Sequence, residues 1–169
     1  MVLGLDPGSQ VTGWALVFHA GTRIVGCRLG TWPLGRSGSR AERLARLAGA
    51  AERDIADAQP DVAAIEGTFQ HRNARAALSL AEARGVLLAV LGRLGIATAE
   101  YPPATVKQTI CGNGTAGKDQ VRRALLRTTA ALSDDQLSGV PDDAVDALAI
   151  AVCHLFHARF SQRARSGRR

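Results

Sequence analysis

The 169-residue sequence predicts a mixed α/β fold, in which one five-stranded sheet carries helices on both faces. Three strand-like segments come first with no helix between them, and they predict an antiparallel start to the sheet. Strand-like and helical segments then alternate and a helix closes the pattern, which is the order expected of a sheet covered on two sides. An apolar content of 46% with 21% charged residues excludes general disorder.

The first three predicted strands form a meander. Residues 2–5 are an apolar run that ends at Asp6, and the Pro-Gly-Ser that follows favours a turn. Residues 13–19 and 23–32 are two longer strands separated by a short turn. We therefore expect one edge of the sheet to be built from consecutive antiparallel strands.

Helices and strands alternate in the rest of the chain, with capping residues and prolines at their ends. The predicted elements are a helix capped near Ser39 that ends at about residue 58, a strand over 61–65 that ends at Glu66, a helix over about 74–94, a strand over 96–101, two short helices that flank the loop 112–117, and a last helix from Pro141 to about Phe160.

Two acids follow apolar strands of this pattern. Asp6 ends the first strand and Glu66 ends the fourth, and each of these strands leads to a helical crossover. We expect the two strands to lie parallel near the centre of the sheet, so that their carboxyl ends are neighbours. Ligands of open α/β sheets bind at such ends. Either acid alone is as well explained as a residue of a strand-end turn.

A second pair of acids begins the last helix. Asp143 and Asp146 are three residues apart and share a helix face, which continues through Ile150 toward the protein interior. Acids in a first helical turn also stabilise the helix dipole, and this explains Asp142 well. It explains Asp146, which lies one turn deeper among alanines and leucines, poorly.

If these acids converge, about four negative charges meet in a region of low dielectric, and they require a compensating cation. Ligands that are all oxygen atoms select Mg²⁺ or Mn²⁺ and not zinc. Two such ions roughly 4 Å apart can bind a phosphate, activate water and stabilise the leaving oxygen. The acids therefore predict phosphodiester hydrolysis.

The sequence resembles the RuvC family, the bacterial crossover (Holliday) junction endodeoxyribonucleases, whose fold is like that of ribonuclease H. The resemblance runs from about Val2 to His154 and rests on residues that occur in the family's order. They are Leu5-Asp6-Pro7-Gly8-Ser9, Ala64-Ile65-Glu66, Phe69, Ala83-Arg84-Gly85, Val106-Lys107-Gln108-Thr109, Lys118 and the segment from Asp143 to Ala149.

The resemblance implies a homodimer that binds a four-way DNA junction and nicks two strands of like polarity, and that cooperates with the RuvA–RuvB branch-migration machinery. It implies that Mg²⁺ is bound by four residues of each subunit: Asp6, Glu66, Asp143 and Asp146. Asp142 could replace Asp143, because the family has one acid where this chain has two.

The DNA contacts are expected from aromatic and basic residues. The resemblance implies contacts by Phe69, Lys107 and Lys118, and the first of these could stack on an unpaired base. Further candidates for contacts with backbone phosphates, which exposed helix charge explains as well, are Arg72, Arg75, Arg122 and Arg123. The loop 112–117 also precedes a lysine, as in a phosphate loop. We favour a flexible loop that contacts DNA, because Asp119 replaces the Ser or Thr that such a loop needs.

Charge and cysteine content predict the organisation and the location of the protein. Nine basic and three acidic residues lie within 67–128, and five arginines lie within 159–169. We expect a single nuclease domain over 1–158 and a basic, flexible tail over 159–169. Three scattered cysteines, the absence of a long apolar run and a start without a basic leader predict a cytoplasmic protein with no membrane contact.

Two alternatives to a nuclease remain open at this stage. A non-catalytic protein could bind junctions or other structured nucleic acid through the basic middle, although four acids would repel DNA unless metals occupied them. Asp6-Pro7-Gly8 also resembles the first phosphate loop of sugar-kinase and actin-like proteins. Those proteins need two such domains around the nucleotide, and 169 residues supply one.

Overall fold

The computed structural model describes residues 1–21, 23–67, 74–128, 133 and 137–166 of the protein. Within these ranges it has five strands and five helices. The strands are β1 (Val2–Asp6), β2 (Val11–Ala20), β3 (Arg23–Pro33), β4 (Val62–Glu66) and β5 (Thr98–Tyr101). The helices are α1 (Arg40–Ala58), α2 (Ala74–Arg93), α3 (Pro103–Cys111), α4 (Lys118–Thr128) and α5 (Asp142–Ser166).

The strands form one sheet in the order β3-β2-β1-β4-β5. β1 is antiparallel to β2 and parallel to β4, and β4 is in turn parallel to β5. The predicted mixed five-stranded sheet is confirmed, and so is the central, parallel placement of the first and fourth strands.

Alternate residues of the central strands face two different helical layers. On β1, Leu3 and Leu5 belong to the core that α1 and α2 cover. Val2, on the other face of the same strand, belongs to the core that contains the middle of α5. The period of two along a strand therefore sends Asp6 and Glu66 toward the side of α5.

Local sequence explains where α1 begins. The Ser39 side chain accepts from the Glu42 backbone N–H, and the Glu42 carboxylate accepts from the Ser39 backbone N–H. This reciprocal pair satisfies two helix-end donors and confirms the cap predicted at Ser39.

α5 continues to Ser166, six residues beyond the predicted end at Phe160. Gln, Arg and Ala favour helix, and no proline or glycine interrupts residues 161–166. The helix therefore includes much of the segment that was predicted to be a tail. None of the helices in the described ranges is both long and apolar enough to cross a membrane.

Candidate active site

Two acids of the site are placed by the sheet itself. Asp6 is the last residue of β1 and Glu66 is the last residue of β4. The two strands pair in parallel with Leu5 opposite Ile65, so the acids that follow emerge side by side. The predicted meeting of these two strand ends is confirmed.

The other two acids are brought to the sheet by α5, which lies very close to β1 and β2. A Cβ atom built on Gly4 would be 2.0 Å from the Ala147 carbonyl oxygen. One built on Gly13, which pairs with Asp6, would be 1.9 Å from the Asp143 carbonyl oxygen. Only glycine permits these approaches, and they bring the first turns of α5 against the strand end.

The four acids interact electrostatically around Asp6. The pKa of Asp6 is raised from 3.8 to about 8, mainly by burial and then by the charges of Glu66, Asp146 and Asp143, in that order. Burial is also the main reason why the pKa values of Glu66 and Asp146 are raised. A hydrogen bond from Asp6 to Glu66 acts in the opposite direction on Glu66. In the metal-free site, Asp6 is therefore the acid that holds a proton near neutral pH.

The arrangement fits a hard divalent cation by its chemistry, since its four candidate ligands are all carboxylates. Within the part of the chain that the structure describes, however, no three Asp, Glu, His or Cys side chains are gathered closely enough to hold one ion. Binding of a cation would require these side chains to draw together.

The structure distinguishes Asp143 from its neighbour Asp142. Asp142 is exposed, and its carboxylate accepts from Lys118 at 3.1 Å and from Arg122 at 3.3 Å. These bonds lower its pKa, the bond from Lys118 most strongly. Asp143 is instead one of the charges that raise the pKa of Asp6. The geometry thus supports Asp143, and not Asp142, as the third acid of the cluster.

Two lysines lie beside the acids. Lys107 of α3 and Lys118 of α4 line a cleft of about 200 Å³ together with Glu66 and Asp146. The Lys118 ammonium lies 3.8 Å from Asp146, and its hydrogen bond to Asp142 is the main reason why its pKa is raised. The site thus combines buried negative charge with two cations at its mouth.

The remaining predicted DNA contacts are placed differently. Phe69 and Arg72 lie outside the described residues. Arg122 is partly buried, and its guanidinium donates to the carbonyl oxygens of Leu137 and Val140 as well as to Asp142. These bonds show that Arg122 holds the segment before α5, and its contact with DNA stays a prediction.

Sequence reasoning missed three residues that position the acids. Gly4 and Gly13 were not singled out, because a glycine in a strand does not reveal what approaches it. Arg84 was noted only as part of the family resemblance. Its Nε donates to the Glu66 carbonyl oxygen at 3.2 Å, and its guanidinium pairs with Glu100 at 2.5 Å. Arg84 therefore fixes the end of β4, where Glu66 lies.

The strand order β3-β2-β1-β4-β5, with helices on both faces of the sheet, is that of the ribonuclease H-like class. The family model described as crossover junction endodeoxyribonuclease RuvC matches residues 2–154. The chain belongs to the RuvC family. It is therefore an endodeoxyribonuclease, which hydrolyses phosphodiester bonds, and the nucleases of this family depend on divalent metal ions.

Curated relatives and solved structures agree with this assignment. The chain is 44% identical to the RuvC of Sorangium cellulosum over 95% of this chain and 87% of that protein. It is 43% identical to the RuvC of Halorhodospira halophila, over 92% and 90% of the two chains.

Among solved structures, RuvC of T. thermophilus in complex with a Holliday junction substrate superposes with a TM-score of 0.83 at 28% identity, over 95% of each chain. The yeast mitochondrial resolvase Ydc2 shares the fold, with a TM-score of 0.67 at 12% identity, over 91% of this chain and 78% of that one.

Proposed function

We propose that this protein is a Mg²⁺-dependent endonuclease that resolves four-way (Holliday) DNA junctions by nicking two strands symmetrically during recombination and repair. The observation that carries the proposal is the meeting of Asp6, Glu66, Asp143 and Asp146 at one end of the sheet. The related T. thermophilus protein bound to a Holliday junction supports the choice of substrate.

The four acids are proposed as the ligands of Mg²⁺, with two ions in each subunit, and Mn²⁺ as a substitute. When bound, the metal would supply a water of lowered pKa and charge stabilisation at the scissile phosphate. Asp6 and Glu66 come from rigid strand ends, and Asp143 and Asp146 come from one helix face. The fold therefore restrains the backbone of all four, and only the side chains need to move when the cation enters.

The two lysines are proposed to bind the DNA backbone beside the acids. Lys118 is 66% exposed although it pairs with Asp142, so its ammonium can reach a phosphate without leaving the cleft mouth. Lys107 lies on the neighbouring helix and lines the same cleft. Both would draw the phosphate toward the acids, which repel DNA when no cation is bound. Phe69, Arg72 and Arg122 stay candidates from the sequence.

A homodimer is proposed because a junction cut symmetrically in two strands presents two equivalent sites, and a two-fold enzyme matches them. Among the described residues, the large apolar side chains that are exposed are Leu78 of α2, at 54%, and Val25 of β3, at 48%. An exposed leucine on α2 is suited to a contact between subunits. Cooperation with RuvA–RuvB, a cytoplasmic location and a basic tail after residue 158 remain predictions from the sequence.

The test compares two adjacent acids on an end-labelled four-way junction and a matched linear duplex, with Mg²⁺ or with EDTA. We expect wild-type protein to nick only the junction, and only with Mg²⁺. Asp143→Asn should lose roughly 10³-fold in cleavage rate, because a metal ligand supplies several kcal/mol of transition-state stabilisation. Its affinity for the junction should be kept.

Asp142→Asn is the matched control, since it removes the same charge one residue away. It should stay within about tenfold of wild type, because Asp142 is exposed, pairs with Lys118 and Arg122, and is not one of the four proposed ligands. Wild-type turnover by the Asp143 variant would remove that residue from the catalytic set. Equal cleavage of junction and duplex would contradict the junction specificity, and junction binding without any cleavage would favour a non-catalytic binder.

A further inference from the structure

A second polar groove lies on the side of α4 that faces away from the catalytic cleft. Lys118 and Val121 of this helix line the cleft, whereas Gln120, Arg123 and Arg127 line the groove. The groove has a volume of about 420 Å³, and the end of α3 and the loop before α4 form its other wall. Nothing in the proposed reaction uses these residues.

The groove carries positive charge that the protein does not neutralise. Arg123 and Arg127 are both exposed, and neither forms an ion pair with a carboxylate among the described residues. They lie four residues apart on one helix, so their side chains are neighbours about 5–6 Å apart at Cβ. The groove lining contains no Asp or Glu.

The amide side chains of the groove also offer donors. The side-chain oxygen Oε1 of Gln120 accepts from the Gly117 backbone N–H. The side-chain oxygen Oδ1 of Asn113 accepts from the backbone N–H and the hydroxyl of Thr115. These bonds occupy the amide oxygens. The amide NH₂ groups make no hydrogen bond within the described part of the chain, so the groove presents donors and cations to a ligand.

The loop wall is held in shape by its own hydrogen bonds. Gln108 accepts from the Gly114 backbone N–H at 3.1 Å and donates to the Gly112 carbonyl oxygen at 3.0 Å. Gly112 ends α3 in the left-handed conformation that glycine permits. These two bonds define one wall of the groove.

We propose that this groove binds the phosphodiester backbone of a duplex arm of the DNA substrate, away from the strand that is cut. The inference rests on the proposed function for the identity of the nucleic acid. Two adjacent cations on an open groove suit successive phosphates of one strand better than a single small anion. The lining contains no aromatic side chain, so the contact would be independent of base sequence.

The test measures junction binding in EDTA as a function of salt, so that cleavage does not interfere. Each neutralised phosphate contributes about 0.9 to the slope of log affinity against log salt. Arg123→Gln/Arg127→Gln should therefore reduce the magnitude of the slope by about 2. It should also weaken binding by at least roughly tenfold at 0.1 M salt. Arg123→Lys/Arg127→Lys, which keeps the charges, should restore most of the slope.

Arg23→Gln/Arg53→Gln is the matched control, because it removes two exposed charges from β3 and α1, outside the α3–α4 pair. It should leave the slope unchanged. A wild-type slope in the Arg123→Gln/Arg127→Gln variant would contradict DNA binding by the groove. An equal reduction of the slope in the control would contradict it too, because the effect would then reflect net charge alone. Failure of the wild-type protein to cleave junctions would contradict the proposed function, while the slope in EDTA would still test the groove.

Discussion

The two faces of the central sheet are built in opposite ways. Toward α1 and α2, the strands present large side chains such as Leu3, Leu5 and Ile65, which are fully or almost fully buried. Toward α5, the same strands present Gly4 and Ala64 beside Val2, and Ala147 and Ala151 of the helix lie directly against Gly4. One face is thus joined by interlocking side chains, and the other by backbone in close contact.

The two faces therefore have different roles: one mainly stabilises the fold, and the other positions the four acids. A layer of large side chains buries much apolar surface and can relax around a local change. The other face cannot relax at Gly4 and Gly13, because a Cβ atom added there would meet a carbonyl oxygen of α5. The face that holds the acids is therefore the one in which helix and strand have a single possible separation.

The largest effect is expected where the close-packed face is broken. Gly13→Ala places a methyl group against the Asp143 carbonyl oxygen and should cost about 3–4 kcal/mol of unfolding free energy, at the upper end of overpacking effects. It should also abolish cleavage, because Asp143 moves away from Asp6. Urea unfolding and junction cleavage measure the two effects.

Gly26→Ala on β3 is the matched strand control, since its added Cβ would find only the Phe18 ring at 3.8 Å. We expect it to be neutral or slightly stabilising, because alanine restricts the unfolded chain more than glycine does. A neutral Gly13→Ala would show that α5 can shift freely along the sheet.

A smaller effect is expected on the opposite face, and on stability alone. Leu87→Ala removes a fully buried side chain of α2 and should cost about 3 kcal/mol. Below its melting temperature the variant should cleave junctions at the wild-type rate, because α2 packs on the face away from α5. Leu87→Met, which keeps the volume, should cost about 1 kcal/mol. A cleavage defect in folded Leu87→Ala would contradict the separation of the two faces.

The smallest expected effect is a gain in stability when Asp6 is replaced by asparagine. The pKa of Asp6 is about 8 in the folded protein and 3.8 in the unfolded chain, so the metal-free protein should lose stability as pH rises from 4 to 8. Asp6→Asn removes this loss. Because a buried amide has its own desolvation cost, we expect a net gain of about 2 kcal/mol at pH 8, shrinking toward pH 4.

Thermal unfolding in EDTA across this pH range measures the gain. Mg²⁺ should then stabilise the wild-type protein and leave Asp6→Asn nearly unchanged, because a cation that binds only the folded state raises its stability. A variant with the same pH dependence as wild type would show that Asp6 is not the proton-holding acid.

The sequence was informative wherever the physics is local. Apolar runs that end in acids predicted the strands of Asp6 and Glu66, and the crossovers between them predicted parallel neighbours, as the sheet shows. The Ser39 cap was also predictable, because a capping residue and its partner lie three residues apart. Helical spacing selected Asp143 and Asp146 as partners on one face.

The remainder depends on contacts between distant residues. Nothing in the residues around Gly13 indicates that Asp143 will lie against it. The pairing of Asp142 with Lys118 likewise joins two residues that lie 24 positions apart in the sequence, on two different helices. The end of α5 was predicted six residues too early, although residues 161–166 contain no proline or glycine.

The close contact between α5 and the first two strands also bears on how the protein is made. Synthesis delivers Asp6 first and Glu66 sixty residues later, but Asp143 and Asp146 arrive only with the last helix. Chains fold from the amino terminus as they leave the ribosome. A nascent or prematurely terminated chain that lacks α5 thus holds only two of the four acids of the cluster. With the four acids as the proposed metal ligands, the enzyme cannot cut DNA before α5 has been synthesised.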